Sequence, residues 1–414
     1  MAGNSIKVSM YNVGFGDCFL LRFPAADRER RVLIDCGSIK QGVAGGTGAI
    51  VEQLIEDVTD DGVAHIDVVA ATHRHKDHVS GFDHDAWRDV VVDEVWLPWT
   101  EDPNDPEARL MLREMASFAL ALQAEFAALS GFSAGEQELV SHVLENTLGL
   151  SNDKAMATLH RGFRGGSQGA RRRFLTRSAD PLATDAVGGV VVVHVLGPAK
   201  DEAVLREMNP PSDESFLRAA PAGDLAPGAL LPFIPDPAPP VSPPDKLKDF
   251  LRRLSQEAAL LGAVALEKAV NNTSLMLAFE VGEAVLLFPG DSQWGPWRIN
   301  LDDPRMTDLL KRTVFYKVGH HGSHNATPVS FVEKVLSPDG SSCLFAATSV
   351  ARHGRFEEIP KLQLLEKLGA KIGSPERVIR SDKPPTRAKA ARDGVSVFRK
   401  NQQVLRIDFE VAVS

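Results

Sequence analysis

The stretch Thr72–His78 (THRHKDH) carries three histidines and an aspartate, and it directly follows the apolar run Ile66–Ala71 (IDVVAA). Neutral imidazole and carboxylate groups are the ligands that hold zinc, manganese or iron in proteins. His73 and His75 lie two residues apart, so their side chains point the same way if the backbone is extended. A turn after them would let the aspartate and the last histidine of the stretch face a second point nearby. The pattern therefore predicts a site for two metal ions at the end of a buried strand.

Two later segments repeat this arrangement of an apolar run followed by metal-binding side chains. Leu286–Asp291 (LLFPGD) ends in a carboxylate, and each of the two oxygens of a carboxylate can take one metal ion. Phe315–His324 (FYKVGHHGSH) brings three more histidines at a turn that contains glycines. Taken alone, the first segment is an ordinary turn and the second an ordinary polar loop. Because all three segments end predicted strands, together they predict one metal centre.

The chain has 414 residues, of which 43% are hydrophobic, and this is enough for a large core in one domain with insertions. Its formal net charge of −9 argues against a broad surface that coats nucleic acid, although a local basic patch is compatible with it. The three cysteines are widely spaced, as in proteins of a reducing compartment. The sequence predicts neither a signal peptide nor a membrane span. We therefore expect a soluble, cytoplasmic protein without a membrane partner.

Strand patterns predominate toward both ends of the chain, and helical patterns are interleaved with them. Strands are predicted between residues 5 and 36 and at 66–71, 90–97, 190–196, 274–280, 284–288, 313–318, 342–347, 395–398 and 404–409. Helices are predicted at 48–58, 106–128, 136–148, 245–268 and 360–368. This order predicts an α/β (α+β) fold, namely a four-layer αββα sandwich that forms a single domain over residues 1–414.

Two parts of the chain read as additions to this domain. Residues 101–185 form a predicted helical and basic insertion, and residues 221–268 a proline-rich excursion that leads into a helix. Within the first, residues 161–177 are rich in arginine and glycine. Two interpretations of this segment stay open, since it either binds phosphate groups or is a solvated loop. The candidate substrate contacts in it are Arg171, Arg172 and Arg173.

Six short segments, taken in order along the chain, match the motifs of one known family. They are Tyr11–Leu21, Leu33–Gly37, Thr72–Gly81, Asn271–Leu275, Leu287–Asp291 and Lys317–Ser323. With them the chain resembles the metallo-β-lactamase-fold hydrolases, and within that fold the soluble hydrolase domain of ComEC-type DNA-uptake competence proteins. The resemblance runs in pieces over roughly residues 5–100 and 185–410. A full competence protein carries many membrane spans and this sequence predicts none, so DNA transport is not implied.

The resemblance implies a ligand set for two divalent metal ions, zinc or manganese. It assigns His73 and His75 to the first ion and Asp77 and His78 to the second. Asp291 would bridge the two ions.

The resemblance also implies roles around these ligands. Asp35 would be a carboxylate that orders a ligand without touching a metal ion. One of His320 and His321 would complete the second ion's ligands, and the other would face the substrate. Asp77 would orient the nucleophile, and His320, His321 or His324 would protonate the leaving group.

The chain departs from the family pattern at two places. Most members use a third histidine for the first ion, and here that place falls on Asn271 or Asn272. His194 is the competing candidate, although its position inside a strand favours an ordinary sheet histidine. The usual His-Pro pair near the C-terminus is missing, which leaves Arg352 and His353 as candidate substrate contacts.

These patterns together predict a metal-dependent hydrolase that uses a hydroxide activated by two ions. The favoured function is a phosphodiesterase or nuclease, with DNA or RNA as the partner. Two alternatives stay open. One is a hydrolase of small-molecule esters, lactones or β-lactams, and the other is an inactive-fold regulatory component of a defence-type system.

Overall fold

The computed structural model describes residues 5–41, 46–128, 152–164, 169–216, 268–336, 345–349, 359–386 and 394–413, together with residues 262, 265 and 266. The strands, numbered in chain order, are β1 Ser5–Tyr11, β2 Gly14–Phe15, β3 Phe19–Phe23, β4 Arg30–Ile34, β5 Lys40–Gln41, β6 Thr59–Asp60, β7 Val63–Ala70, β8 Val91–Pro98, β9 Arg171–Leu175, β10 Val192–Gly197, β11 Met276–Val281, β12 Ala284–Phe288, β13 Thr313–Lys317, β14 Phe345–Thr348, β15 Val378–Arg380, β16 Val395–Lys400 and β17 Gln403–Ala412. The helices are α1 Thr47–Asp57, α2 Lys76–Val79, α3 Pro106–Ala128, α4 Asp153–Ala157, α5 Glu202–Arg206, α6 Trp294–Leu301, α7 Pro304–Lys311 and α8 Leu362–Ile372.

Two large mixed sheets form the centre of the molecule. The first has the strand order β16-β17-β1-β3-β4-β7-β8-β9, with β6 paired to β7, and its strands are parallel from β4 to β9. The second has the order β10-β11-β12-β13-β14-β15 and is parallel from β12 to β15. Strands β2 and β5 form a small separate pair. The α/β class predicted from the sequence is confirmed.

The two large sheets pack face to face over one apolar core. Phe19 of the first sheet lies 5.6 Å, centroid to centroid, from Phe288 of the second, and Phe315 of the second lies 5.3 Å from Phe409 of the first. Each phenylalanine side chain is buried, which contributes roughly 1.5–3 kcal/mol per side chain to folding. Helix α1 covers the outer face of the first sheet, and α6, α7 and α8 cover that of the second.

Local sequence explains where several of these elements lie. Strand β7 (VAHIDVVA) becomes continuously apolar toward its end because it is a central parallel strand covered on both faces. Helix α7 begins with Asp303, whose side chain accepts the backbone N–H of Arg305, followed by a proline in the first turn. Helix α8 ends at Gly373, whose φ of 74° is left-handed and favours glycine.

Most predicted elements that fall in the described residues are confirmed, and the helix predicted at 106–128 is α3. The helix predicted at 136–148, the proline-rich stretch at 221–244 and most of the helix predicted at 245–268 lie outside the described residues. Residues 171–175 differ from the solvated-loop interpretation, since they form β9 and extend the first sheet beside β8. The buried Leu175 and the pairing with β8 hold this arginine-rich segment in the sheet. Within the described part of the chain, no helix has both the length and the apolar character needed to cross a bilayer.

Candidate metal centre

The histidine-rich stretch turns directly at the end of β7. His75 is the last extended residue, with φ −63° and ψ 148°, and helix α2 begins after it. The backbone N–H groups of His78 and Val79 both donate to the carbonyl of His75, at 3.0 and 3.1 Å. This single turn buries Asp77 and His78 beside His73 and His75. The predicted turn therefore brings all four side chains into one buried cluster.

His73 and His75 face one another inside that cluster. His73 Nε2 lies 2.9 Å from His75 Nδ1. His73 Nδ1 lies 3.1 Å from both the Thr72 and the Ser274 hydroxyl oxygens. Because the hydroxyl groups hold Nδ1, they fix the ring with Nε2 turned toward His75, as partners of metal-binding histidines usually do.

Asp35 fixes the ring of His78 in the same way. The residue follows β4 in a left-handed conformation, with φ 56°, which is uncommon for a residue other than glycine. Its carboxylate accepts hydrogen bonds from the Thr72 backbone N–H at 2.7 Å, the Thr72 hydroxyl at 2.8 Å and His78 Nδ1 at 2.8 Å. His78 Nε2 is thereby directed toward Asp291, 3.2 Å from its Oδ2. These contacts place Asp35 where a carboxylate that orders a ligand would lie.

The pair His320–His321 has an unusual backbone. Both residues lie in the turn Gly319–Gly322 after β13 with positive φ, at 46° and 52°, which costs roughly 1–3 kcal/mol for each residue. Gly322 follows with φ 84°, and a Cβ there would lie 2.5 Å from Pro360. The strained turn therefore points two adjacent histidines toward the same cluster.

The surroundings of His320 and His321 differ. His321 is fully buried, its Nδ1 lies 2.8 Å from the Ser349 carbonyl oxygen, and its Nε2 lies 3.2 Å from Asp77 Oδ2. The side chain of His320 is 18% exposed, and its Nε2 lies 3.8 Å from Asp291 Oδ2. His321 is therefore an interior member of the cluster, and His320 lies at its accessible side.

Asp17 is a member of the cluster for which the sequence indicated no role. Ligand atoms of Asp17, His78, Asp291 and His321 all lie within 4.8 Å of one another, and all four residues are buried, so this group can hold a metal ion. The only signal in the sequence was the position of Asp17 in one of the segments that carry the family resemblance, and an acid after Gly-x-Gly is typical of any turn.

A close contact between loops places Asp17. Its backbone N–H donates to the carbonyl of Asp77 at 2.9 Å, and the Gly37 N–H donates to the carbonyl of Asp17 at 3.0 Å. A Cβ on Gly37 would lie 2.5 Å from the backbone of His78. Only glycine at this position lets the loops before β3 and after β4 approach the histidine-rich turn so closely.

Lys317 is the second buried group that the sequence did not indicate. Its ammonium forms an ion pair with Asp17 and lies 3.4 Å from Asp291 Oδ1 and 3.2 Å from the carbonyl oxygen of Gly290. Burial alone would lower the pKa of this lysine, but the two carboxylates raise the pKa above its ordinary value. Lys317 therefore remains charged beneath the cluster.

Asn271 and Asn272 are separated by their hydrogen bonds. Asn272 Nδ2 donates to the carbonyls of Leu205 at 2.9 Å and Glu207 at 3.1 Å, and its Oδ1 accepts the Gln293 backbone N–H at 2.8 Å. Asn271 Oδ1 is buried and has no hydrogen-bond partner among the described residues. Of the two amides, only that of Asn271 keeps an oxygen available to the cluster.

The remaining candidate residues have other recorded contacts or lie outside the described chain. His194 Nε2 lies 2.7 Å from Glu280 Oε2 on the neighbouring strand β11, which accounts for it as a sheet histidine. His324 is half-buried, and its carbonyl accepts a hydrogen bond from Ser215. Arg352 and His353 lie outside the described residues.

The unpartnered atoms of the cluster match the donor set of a metal site. Buried polar atoms nearly always have hydrogen-bond partners. In the part of the chain that the structure describes, the cluster contains several that lack them, namely His75 Nε2, Asp77 Oδ1, His320 Nδ1 and Asn271 Oδ1. They are imidazole, carboxylate and amide donors, which suit zinc and manganese.

The protonation states of four members of the cluster favour metal binding. Burial lowers the pKa of His73 well below its ordinary value and lowers that of His75 to about 4, so both rings are neutral at pH 7. Burial would raise the pKa of Asp77 and Asp291, but His78 and further neighbouring imidazoles and cations lower it, so both acids are ionised. Neutral imidazoles and ionised carboxylates are the forms that bind metal ions. Burial would lower the pKa of His78 and His321, but the carboxylates around them raise it, so these two rings would release a proton on binding a metal ion.

Comparison of the sequence with family models and with curated proteins finds no match. The functional assignment therefore depends on the geometry and chemistry of this cluster.

Proposed function

We propose that this protein is a metal-dependent hydrolase of the metallo-β-lactamase type that cleaves phosphodiester bonds. The observation that carries the proposal is the buried cluster of donor atoms without partners, which lies where the ends of β7, β12 and β13 meet. Two face-to-face sheets covered by helices, with the site at strand ends, are consistent with this fold type.

Two groups of side chains would hold the ions. His73, His75 and the Asn271 amide oxygen form the group proposed for the first ion. Asp77, His78 and His321 form the group for the second, and Asp291 would be shared by the two ions. Asp17 lies close enough to the second group to contribute or to compensate its charge. His321 is preferred to His320 as a ligand because its Nδ1 is held by a carbonyl oxygen and its Nε2 faces Asp77.

The chemistry proposed for the site is hydrolysis. When bound, two divalent ions supply a water with a pKa near neutrality and neutralise charge on the substrate. Asp77, whose Oδ1 has no hydrogen-bond partner among the described residues, would orient that water. His320 is the partly exposed histidine of the cluster, so we assign it the role of protonating the leaving group.

A phosphodiester substrate is favoured by the charge beside the site. Arg74 lies between two of the proposed ligands, and it borders a pocket that Arg109, Arg113, Arg161 and Arg172 also line. Uncharged esters and lactones gain nothing from such a pocket, whereas phosphates pair with guanidinium groups.

The proposal is tested by assaying the purified protein with added Mn²⁺ or Zn²⁺ on bis-p-nitrophenyl phosphate, single-stranded DNA and RNA. We expect metal-dependent cleavage that Asp77→Asn lowers by about 10³-fold, since ligand charge at such a site contributes several kcal/mol. The control variant is His194→Ala, which changes a half-buried sheet histidine paired with Glu280 and should keep full activity. Cleavage of esters or lactones with no phosphodiester cleavage would overturn the substrate assignment.

A further inference from the structure

A large pocket borders the histidine-rich turn at Arg74. Its walls come from α3, α4, β9 and the histidine-rich turn, and it has a volume of about 1210 Å³. Five arginines and three carboxylates line it. Arg74 is paired with Glu101 through two hydrogen bonds of 2.8 Å, so these two charges cancel. Four arginines then face Asp102 and Asp153, which makes the pocket locally positive in a chain whose net charge is −9.

Arg172 is the most unusual side chain of this pocket. Its Nη1 donates to the carbonyl of Ala170 at 2.5 Å, but its buried Nε and Nη2 have no hydrogen-bond partner among the residues described. Burial lowers its pKa, and no carboxylate offsets that effect. A desolvated guanidinium with two unused donors is suited to an anion that can accept two parallel hydrogen bonds, as phosphate does.

The neighbours of Arg172 in β9 are used differently. Successive side chains of a strand point to opposite faces. Arg171 and Arg173 both lie near the buried carboxylate of Glu94, at 3.8 and 3.4 Å, and Arg173 also donates to the Ala183 carbonyl at 2.6 Å. Of the three consecutive arginines, only Arg172 lines this pocket, and it is the one with donors that lack a partner among the described residues.

The pocket also has an aromatic side. Phe174 lies two residues after Arg172, on the same face of β9, and is half-buried. Its ring centroid lies 6.0 Å from that of His160, and both residues line the pocket. Cationic side chains beside an aromatic platform are typical of grooves that bind single-stranded nucleic acid, where a base stacks on the ring and the arginines bind the backbone.

The pocket shares one residue, Arg74, with the histidine-rich turn. The residue lies in the chain between His73 and His75, and its carbonyl accepts a hydrogen bond of 2.9 Å from Asn152 Nδ2. Asn152 immediately precedes α4, which lines the pocket. A ligand in the pocket would therefore lie against the same turn that carries the proposed metal ligands.

We propose that this pocket binds the phosphate backbone of a single-stranded nucleic-acid substrate. Arg172 contacts a backbone phosphate, and Phe174 stacks on a base. The identity of the strand as substrate rests on the proposed hydrolase function, but its binding to the pocket does not.

Binding is measured without turnover, as the fluorescence anisotropy of a labelled twelve-nucleotide oligothymidylate in EDTA. We expect Arg172→Gln to weaken binding by about 10-fold and to lower the slope of log Kd against log salt by about 0.7, the value for one phosphate contact on a single strand. Arg171→Gln removes the same charge from the other face of β9, and it should change Kd by less than about twofold. Arg161 is an exposed residue of the pocket, so Arg161→Gln should not disturb folding. It should also weaken binding, which keeps the test valid if Arg172→Gln fails to fold.

Inorganic tripolyphosphate serves as a second probe in competition with the oligothymidylate. Phe174→Leu should weaken binding of the oligothymidylate and leave competition by tripolyphosphate unchanged, because only the strand has bases. If Phe174→Leu has no effect on strand binding, the ligand is a free polyphosphate and the strand assignment is wrong. Three results would overturn the pocket proposal. The first is that the wild type does not bind the oligothymidylate, and the second is that Arg172→Gln and Arg161→Gln bind it like the wild type. The third is that Arg171→Gln weakens binding as much as these two variants do. Cleavage of bis-p-nitrophenyl phosphate is measured separately. The strand-binding proposal can therefore be wrong while the hydrolase function is right, and the hydrolase function can be wrong while strand binding is right.

Discussion

Asn271 and Asn272 are neighbours in the chain, yet their amides have opposite surroundings. Three hydrogen bonds to backbone groups saturate Asn272. The amide oxygen of Asn271 is buried without a partner among the described residues, and its Nδ2 lies 3.4 Å from His320 Nε2. A buried oxygen without a partner is costly unless a ligand completes it. At the scale of single residues, therefore, one amide supports the backbone and the other is a candidate metal ligand.

This difference predicts opposite effects of two alanine substitutions. Asn271→Ala should leave the metal-free protein as stable as the wild type or slightly more stable, and weaken binding of the first ion by roughly 10-fold or more. Asn272→Ala should lower the free energy of unfolding by about 1–3 kcal/mol, since it leaves buried backbone groups unpaired. Urea unfolding in EDTA measures the effect of each substitution on stability, and metal titration measures its effect on metal affinity. Equal effects of both substitutions on metal affinity would contradict the assignment.

At the scale of elements, Lys317 joins three parts of the fold. It ends β13, pairs with Asp17 in the loop before β3, and contacts Gly290 and Asp291 in the loop after β12. Two buried carboxylates close together repel one another unless a cation lies between them. The lysine therefore holds the metal-free site together by supplying part of the positive charge that metal ions would supply.

Removal of this cation should be strongly destabilising. Lys317→Gln should lower the free energy of unfolding of the metal-free protein by about 3–5 kcal/mol, because it leaves buried charges uncompensated. Added Mn²⁺ should raise the melting temperature of this variant more than that of the wild type, since bound ions compensate the same carboxylates. Lys311→Gln breaks an exposed pair with Asp308 at 2.8 Å and should change stability by less than about 1 kcal/mol. If Lys317→Gln lowers the free energy of unfolding no more than this control does, the buried lysine does not stabilise the metal-free site.

At the scale of the whole molecule, the sequence predicted the fold class and most strands, because hydrophobic periodicity is a local signal. It also predicted that the histidine-rich turn and Asp291 meet, since each follows a strand. It did not predict Lys317 or Asp17, because their roles depend on contacts between segments that are distant in sequence. Nor did it predict β9, since the charges of Arg171 and Arg173 are balanced by Glu94 only after the sheet has formed. The family assignment and the substrate stay predictions.

The buried histidines make the stability of the metal-free protein depend on pH. In the folded state the pKa of His73 is lowered well below its ordinary value, and that of His75 is lowered to about 4. In the unfolded state both pKa values return to roughly 6.5. As pH falls through this window the unfolded chain binds protons that the folded chain does not, so stability should fall from pH 6.5 toward pH 4. The contributions of His78 and His321, whose pKa values are raised, are already complete below pH 6.5.

Urea unfolding in EDTA at several pH values between 4 and 7 measures this dependence. A free energy of unfolding that stays constant over the window would show that these rings are not buried in their neutral form. His194→Ala should keep the same dependence, because His194 is not part of the cluster.

The most direct test of the account is the metal content of the purified protein, measured by inductively coupled plasma mass spectrometry after dialysis. We predict about two zinc or manganese ions per chain in the wild type and in His194→Ala. We predict a loss of bound metal in His73→Ala and Asp77→Asn, with circular dichroism spectra like that of the wild type. A wild-type protein that binds no divalent ion even after titration with Zn²⁺ and Mn²⁺, or a variant lacking His73 or the Asp77 charge that keeps both ions, would contradict the central claim.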